Sequence, residues 1–192
     1  EYVSANVLSA PYQGTGVDGV QCHRTVRLHT QNFLQYSEDF SQSYWTGSFS
    51  NVTSTQSGAT APGGTRAWTF VTDNVNIAHR IGKLHTVSVV RGKTYEIEVT
   101  VRAGSRNQCA LRIMDSAFAE GTRINVTNLA AMTNFKSDSG TPAASSVSIT
   151  DLGNGWRRLV VRCTFSQAAA ETGTVYWLLY GEGTIAAYQG DG

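Results

Sequence analysis

At 192 residues the chain is long enough for one domain with a real core plus an appendage, without help from metal or disulfides. Its 18 Ser, 22 Thr and 19 Gly, against 3 Pro and 15% charged residues, describe a β-rich protein with many short turns and exclude both a charge-dense helical bundle and a disordered tail. A formal charge of +1 and the lack of any apolar run near ~18 residues exclude a strong electrostatic reader of nucleic acid or anionic membrane and a spanning helix. The first residue is Glu1 and no signal-like stretch follows it, so the chain is expected to be a piece of something longer.

Residues 1–31 read as an extended, turn-rich arm. Ser9 to Gly19 holds three glycines and a proline, and no periodicity runs through it. Val7, Leu8, Tyr12, Val17 and Val20 are its apolar anchors. The arm is either a linker or a segment ordered only by docking on a neighbouring chain. Next come Leu34, Tyr36, Phe40, Tyr44 and Trp45, large apolar residues in a polar stretch. A short helical turn is expected over Ser37 to Ser43, with Ser37 as its cap and Glu38 and Asp39 in its first turn.

From about Ser48 onward, strand signals recur with glycine or polar punctuation. The clearest is Lys93 to Ala103, where Tyr95, Ile97, Val99, Val101 and Ala103 alternate with Glu96, Glu98, Thr100 and Arg102. That period of two sends one set to a core and the other to water. Trp156 to Phe165 repeats the device, and Cys109, Leu111 and Ile113 share a strand face. Cys109 and Cys163 are therefore expected to be buried free thiols. Weaker strands are expected near Phe49–Thr55, Thr65–Val71, His85–Val90, Arg123–Thr127, Ser146–Thr150 and Thr174–Tyr180. Nine or ten short strands without an ordinary helix point to an all-β fold, a two-sheet antiparallel jelly-roll-like sandwich over residues 32–192.

Little in the sequence marks a catalytic site. No GxSxG elbow is present. Glu96 and Glu98 share a strand face at a spacing of about 7 Å, but that face is the polar side of a strongly alternating strand, and solvation explains it. Cys22, Cys109 and Cys163 are far apart, and His23, His29, His79 and His85 do not complete a zinc pattern, so no metal and no cofactor is expected. His79 and His85 read as hydrogen-bonded strand residues. Asn51-Val52-Thr53 and Asn125-Val126-Thr127 fit the glycosylation pattern, which has meaning only on a eukaryotic secretory route. The aromatic residues say more. Trp68 and Phe70 share a face directed at the core. Val175 to Tyr180 is apolar on both faces, so Tyr176, Leu178 and Tyr180 either lie beneath a loop or a neighbouring subunit or form an aromatic platform for a sugar ring.

The order of segments resembles a bacteriophage structural-protein domain. The residues that carry this are Asn32-Phe33-Leu34-Gln35-Tyr36-Ser37-Glu38-Asp39-Phe40 with Tyr44-Trp45-Thr46, then Thr60 to Thr65, Arg91 to Tyr95, Val101 to Gly104, Asp151-Leu152-Gly153-Asn154-Gly155-Trp156-Arg157-Arg158, and Tyr188 to Gly192. Leu8 to Tyr12 and Gly16 to Val20 also look like a lead-in of phage tail and fibre proteins. The resemblance implies a jelly roll similar to carbohydrate-binding modules and a role in a virion, without a catalytic site. The family's usual last strand, ending in a W-G-A-Q-like run, is absent from this chain.

The expectation is thus a non-enzymatic component of a phage particle, a fibre, spike or decoration protein of head or tail. It would be assembled in the host cytoplasm and attached to other virion proteins through residues 1–31. A homo-oligomer, trimeric as in many fibres, fits that role. Tyr176, Tyr180, Trp45 and Tyr44 are the candidate face for host-surface glycan or a partner, and neither nucleic acid nor membrane is an expected partner. The rival is a glycan-binding module from a secreted bacterial polysaccharide-degrading enzyme.

Overall fold

The computed structural model describes residues 37–64, 66–167, 173–180 and 188–189, and among these described residues the regular structure is thirteen strands and one 3-10 turn. The expected arm, with Val7, Leu8, Tyr12, Val17 and Val20, lies outside the described residues, as do Cys22, His23 and His29. The strands are β1 (Phe49–Ser50), β2 (Val52–Thr60), β3 (Arg66–Thr72), β4 (Asn76–Ile77), β5 (Arg80–Ser88), β6 (Thr94–Arg102), β7 (Cys109–Asp115), β8 (Gly121–Asn128), β9 (Thr133–Ser139), β10 (Ala144–Gly153), β11 (Trp156–Thr164), β12 (Thr174–Tyr180) and β13 (Tyr188–Gln189).

They form an all-β sandwich. A six-stranded sheet runs in the order β1-β5-β12-β7-β8-β9, and a three-stranded sheet in the order β10-β11-β6. Every described pairing is antiparallel. The chain changes sheet between β5 and β6, β6 and β7, β9 and β10, and β11 and β12, the crossing pattern of a jelly-roll-like fold. Two small ribbons, β2-β3 and β4-β13, stand apart from both sheets.

The core follows from strand alternation. Leu111 and Ile113 of β7, Ile124 and Val126 of β8, and Val175 and Trp177 of β12 face Leu159, Val161 and Cys163 of β11 and Ile97 of β6. Strand β11 is central in the small sheet and its inner residues are fully buried, whereas the edge strands β6 and β10 leave Tyr95, Val99, Val147 and Ile149 only partly covered. Cys109 and Cys163 are both free and buried, as the alternation predicts. Burial pushes the Cys109 thiol up to about 12. Burial, with the nearby acids Glu120, Asp138 and Asp115 adding to it and a hydrogen bond with Thr122 opposing it, pushes Cys163 up to about 11.

Several local expectations need correction. The expected strand Phe49–Thr55 is two strands, because Asn51 takes a left-handed φ of 57°. Its side chain donates to the Ala78 carbonyl at 3.1 Å, and its own carbonyl accepts from the Asp73 amide at 3.1 Å, so β1 joins the large sheet while β2 turns away into its ribbon. The helical turn falls at Ser43–Trp45 rather than Ser37–Ser43. Asp39, not Ser37, organises the approach, accepting from the Ser41 amide and hydroxyl and from the Gln42 side chain. These hydrogen bonds hold the Asp39 carboxyl below the usual carboxylate range. Strand β9 was not expected: Thr133 to Ser139 is polar apart from an exposed Phe135, so it carries no alternation to read. His79 precedes β5 rather than lying in it; it is buried, 2.7 Å from the Asp73 carboxylate.

Candidate functional site

Trp45, Tyr44 and Tyr176 of the candidate face do not share one surface. Trp45 is 1% exposed and packs in the core, its ring edge-on to Trp177 at 5.9 Å and tilted against Phe40 at 4.6 Å. It presents no surface to a sugar or a partner, because the short 3-10 turn drives it into the sandwich. Tyr44, half-buried, lies under the Lys83 ammonium at 4.1 Å, and the same ammonium donates to the Tyr44 carbonyl. Lys83 stands opposite Trp177 in the register, so this pair belongs to the inner side of the large sheet. Tyr176 is on the other side. It packs with Ala110, Met114 and Leu178 in a second apolar cluster. Tyr180 pairs through its main chain with Arg80 and Ala110.

That outer cluster resolves the two readings of Val175 to Tyr180 in part. Ala110 and Met114 are 0% exposed and Leu178 is 1% exposed, so the middle of the outer face is covered. Strand β5 contributes Gly82, where an added Cβ would come within 2.8 Å of both the Leu178 side chain and the Tyr176 hydroxyl; Tyr176 lies across a position that only glycine leaves open. The edge of this face is uncovered. Phe118, in the turn between β7 and β8, is 65% exposed and stands edge-on to Tyr176 at 6.3 Å and 89°.

Phe118 is the residue that sequence reasoning missed. Its φ is 61°, a left-handed conformation that is a true outlier for a bulky side chain. The turn is fixed from beneath by two carboxylates with no exposure, Asp115 and Glu120. Asp115 accepts from the Ala119 amide at 3.2 Å and the Glu120 amide at 2.6 Å. Glu120 accepts from the Ser166 amide and hydroxyl, both at 2.8 Å, and from the Gln167 amide at 3.0 Å. Ser116 accepts from the Thr174 amide at 2.9 Å. Gly140 lies so close that an added Cβ would sit 2.4 Å from the Ala119 carbonyl. A turn tied at this many points can hold a strained aromatic residue in solvent. The legible signal was a lone Phe among Asp115-Ser116-Ala117 and Ala119-Glu120-Gly121, where turn chemistry alone needs no aromatic residue.

The remaining candidates are structural. Glu96 pairs with Arg162 across the outer side of the small sheet, and both are exposed; Glu98 is exposed opposite Val160. Neither carboxyl lies in an apolar pocket of the kind that general acid catalysis needs. Asn125 has no exposure and donates to the Phe135 carbonyl and the Ser137 hydroxyl, so the folded chain cannot carry a glycan there. Among the described residues no group of three or more His, Cys, Asp or Glu side chains could hold a metal ion, and no helix is long and apolar enough to cross a membrane.

The most specific motif of the resemblance also does structural work. Gly153, Asn154 and Gly155 have φ of 81°, 52° and 79° and turn β10 into β11. Arg157 follows, 8% exposed, donating to the Leu129 carbonyl at 3.0 Å, the Ala130 carbonyl at 3.3 Å and the Asp151 carboxylate at 2.5 Å. It ties this hairpin to the turn between β8 and β9. Trp156 lies under the Arg102 guanidinium at 5.0 Å. In comparisons with known proteins, no protein-family model and no curated protein matches the chain.

Proposed function

We propose that the chain is a non-enzymatic module of a bacteriophage particle, a fibre, spike or decoration component, attached to other virion proteins through residues 1–31 and touching host-surface glycan at the Phe118–Tyr176 corner. The observation that carries the contact is the rigid display of Phe118, 65% exposed in a left-handed backbone. The exposed Phe118 ring, edge-on to Tyr176, offers an apolar aromatic surface, which suits the C–H face of a hexose. The patch is also small beside the ~800 Å² that each partner contributes to a stable protein interface. The virion role rests on the resemblance. Its motif residues serve the sandwich here: Trp45 fills the core and Phe40 packs against it, Gly92 donates to the Phe165 carbonyl, and Arg157 holds the hairpin. Weak single contacts of this sort become useful through the multiplicity of a symmetric particle.

Two measurements test the parts separately. Binding of the intact chain to host-surface polysaccharide is expected to weaken strongly in Phe118→Ala with folding unchanged; equal binding by the variant removes the corner as the contact. Particles assembled with a chain lacking residues 1–31 are expected to lack the module, and normal incorporation removes the arm as the attachment.

A further inference from the structure

We propose that Asn154 is a site of spontaneous deamidation that ages the β10–β11 hairpin. Asn154-Gly155 is the one Asn-Gly pair in the sequence. It forms the two-residue turn between Gly153 and Trp156, which are register partners, with both turn residues exposed and both left-handed, the arrangement that Asn-Gly favours in hairpins. Among the described residues no hydrogen bond engages either the Gly155 amide or the Asn154 side chain. Nucleophile and electrophile are therefore adjacent, solvated and free, and Gly155 has no side chain to shield its nitrogen.

The chemistry needs only water. The Gly155 nitrogen, its proton taken by hydroxide or water, attacks Cγ of Asn154. The new N–Cγ bond closes a five-membered succinimide as the Cγ–Nδ2 bond breaks and the amide nitrogen leaves as ammonia. Water then opens the ring at either carbonyl, leaving aspartate or isoaspartate at position 154. No electrons are exchanged; one water is consumed and one ammonia released.

Both products act on the same local device. A carboxylate at 154 stands three residues from Asp151, which already accepts from the Gly153 amide at 2.8 Å and from Arg157. The isoaspartate also inserts a methylene into the main chain of a two-residue turn, and loop length sets the register of a hairpin. Trp156 and Arg157 follow that turn directly, so the tie between this hairpin and Leu129 and Ala130 is the first contact to loosen.

The test is incubation of the intact chain at mildly alkaline pH, followed by peptide mapping and enzymatic isoaspartate detection. A one-dalton gain with isoaspartate is expected on the Asn154 peptide, ahead of the peptides that hold Asn51, Asn125, Asn128 and Asn134. Asn154→Gly, which keeps the left-handed turn and removes the amide, is expected to show no gain there and to keep its unfolding midpoint through the incubation, while the native chain's midpoint falls. If the Asn154 peptide stays unchanged while the urea-unfolded chain deamidates, the turn protects the site and the proposal fails. Deamidation without any fall in the midpoint overturns the proposed effect on the hairpin.

Discussion

The turn between β7 and β8 and the turn between β10 and β11 stand at opposite ends of the sandwich's central strands, and they hold left-handed backbone in opposite ways. In the first, Phe118 is an unsuitable residue for its φ of 61°, and buried Asp115 and Glu120 hold the segment from below. In the second, Gly153, Asn154 and Gly155 suit their conformations unaided, and one guanidinium secures the flank. A turn whose own residues fit needs few ties; a turn that displays a misfit needs many. That contrast is why the first is proposed as a contact while the second is a structural joint.

The largest test of this contrast is Glu120→Ala. It leaves the Ser166 and Gln167 amides without their acceptor, while the Ser166 hydroxyl keeps only the Thr141 carbonyl, at a cost of about 3 kcal/mol, since stranded donors are expensive. Urea unfolding should show the drop, with Glu120→Gln retaining part of it; an unchanged midpoint would mean the turn is not held from beneath. Arg157→Lys comes next. A lysine keeps the charge but not the planar fork that reaches Leu129, Ala130 and Asp151 together, so a loss of about 2 to 3 kcal/mol is expected by the same measurement.

The thiols sharpen the comparison on the core beneath both turns. Their folded values, about 12 for Cys109 and about 11 for Cys163, lie above the ordinary 9.0. The folded state therefore holds these protons more tightly than the unfolded chain. The associated stability is complete below pH 9 and is lost as pH rises toward the folded values. Stability measured against pH should fall on that alkaline limb, and a Cys109→Ala, Cys163→Ala chain, less stable at neutral pH, should show a flatter limb. Rapid thiol labelling of the native protein would contradict the burial on which this rests. The smallest effect is Phe118→Gly, which removes the left-handed penalty and should raise stability by about 1 kcal/mol. A loss instead would show that the ring supports the fold rather than a partner.

Much of the sandwich was legible in residue order. The alternation of Tyr95 to Val101 and of Leu159 to Phe165 placed two strands and their inner faces, because a pleated strand has no other way to separate apolar from charged side chains. The burial of Cys109 and Cys163 followed from the same period. Strand β9 and the break at Asn51 were not legible. An exposed edge strand has no inner face to announce it, and a left-handed asparagine is chosen by the Ala78 carbonyl and Asp73 amide, which are distant in sequence.

The candidate surface divides in the same way. The sequence by itself determined that Val175 to Tyr180 is apolar on two faces, since that is a property of neighbouring residues. Only the tertiary structure decided that Trp45 fills the core, that Tyr44 and Tyr176 lie on opposite sides of one sheet, and that Phe118 stands exposed beside Tyr176. Those outcomes depend on which strands pair and which buried carboxylate reaches which amide, and the partners are 39 residues apart for Tyr44 and Lys83 and 46 for Glu120 and Ser166. A local pattern can state which face a residue shares, but only long-range packing states what lies against that face.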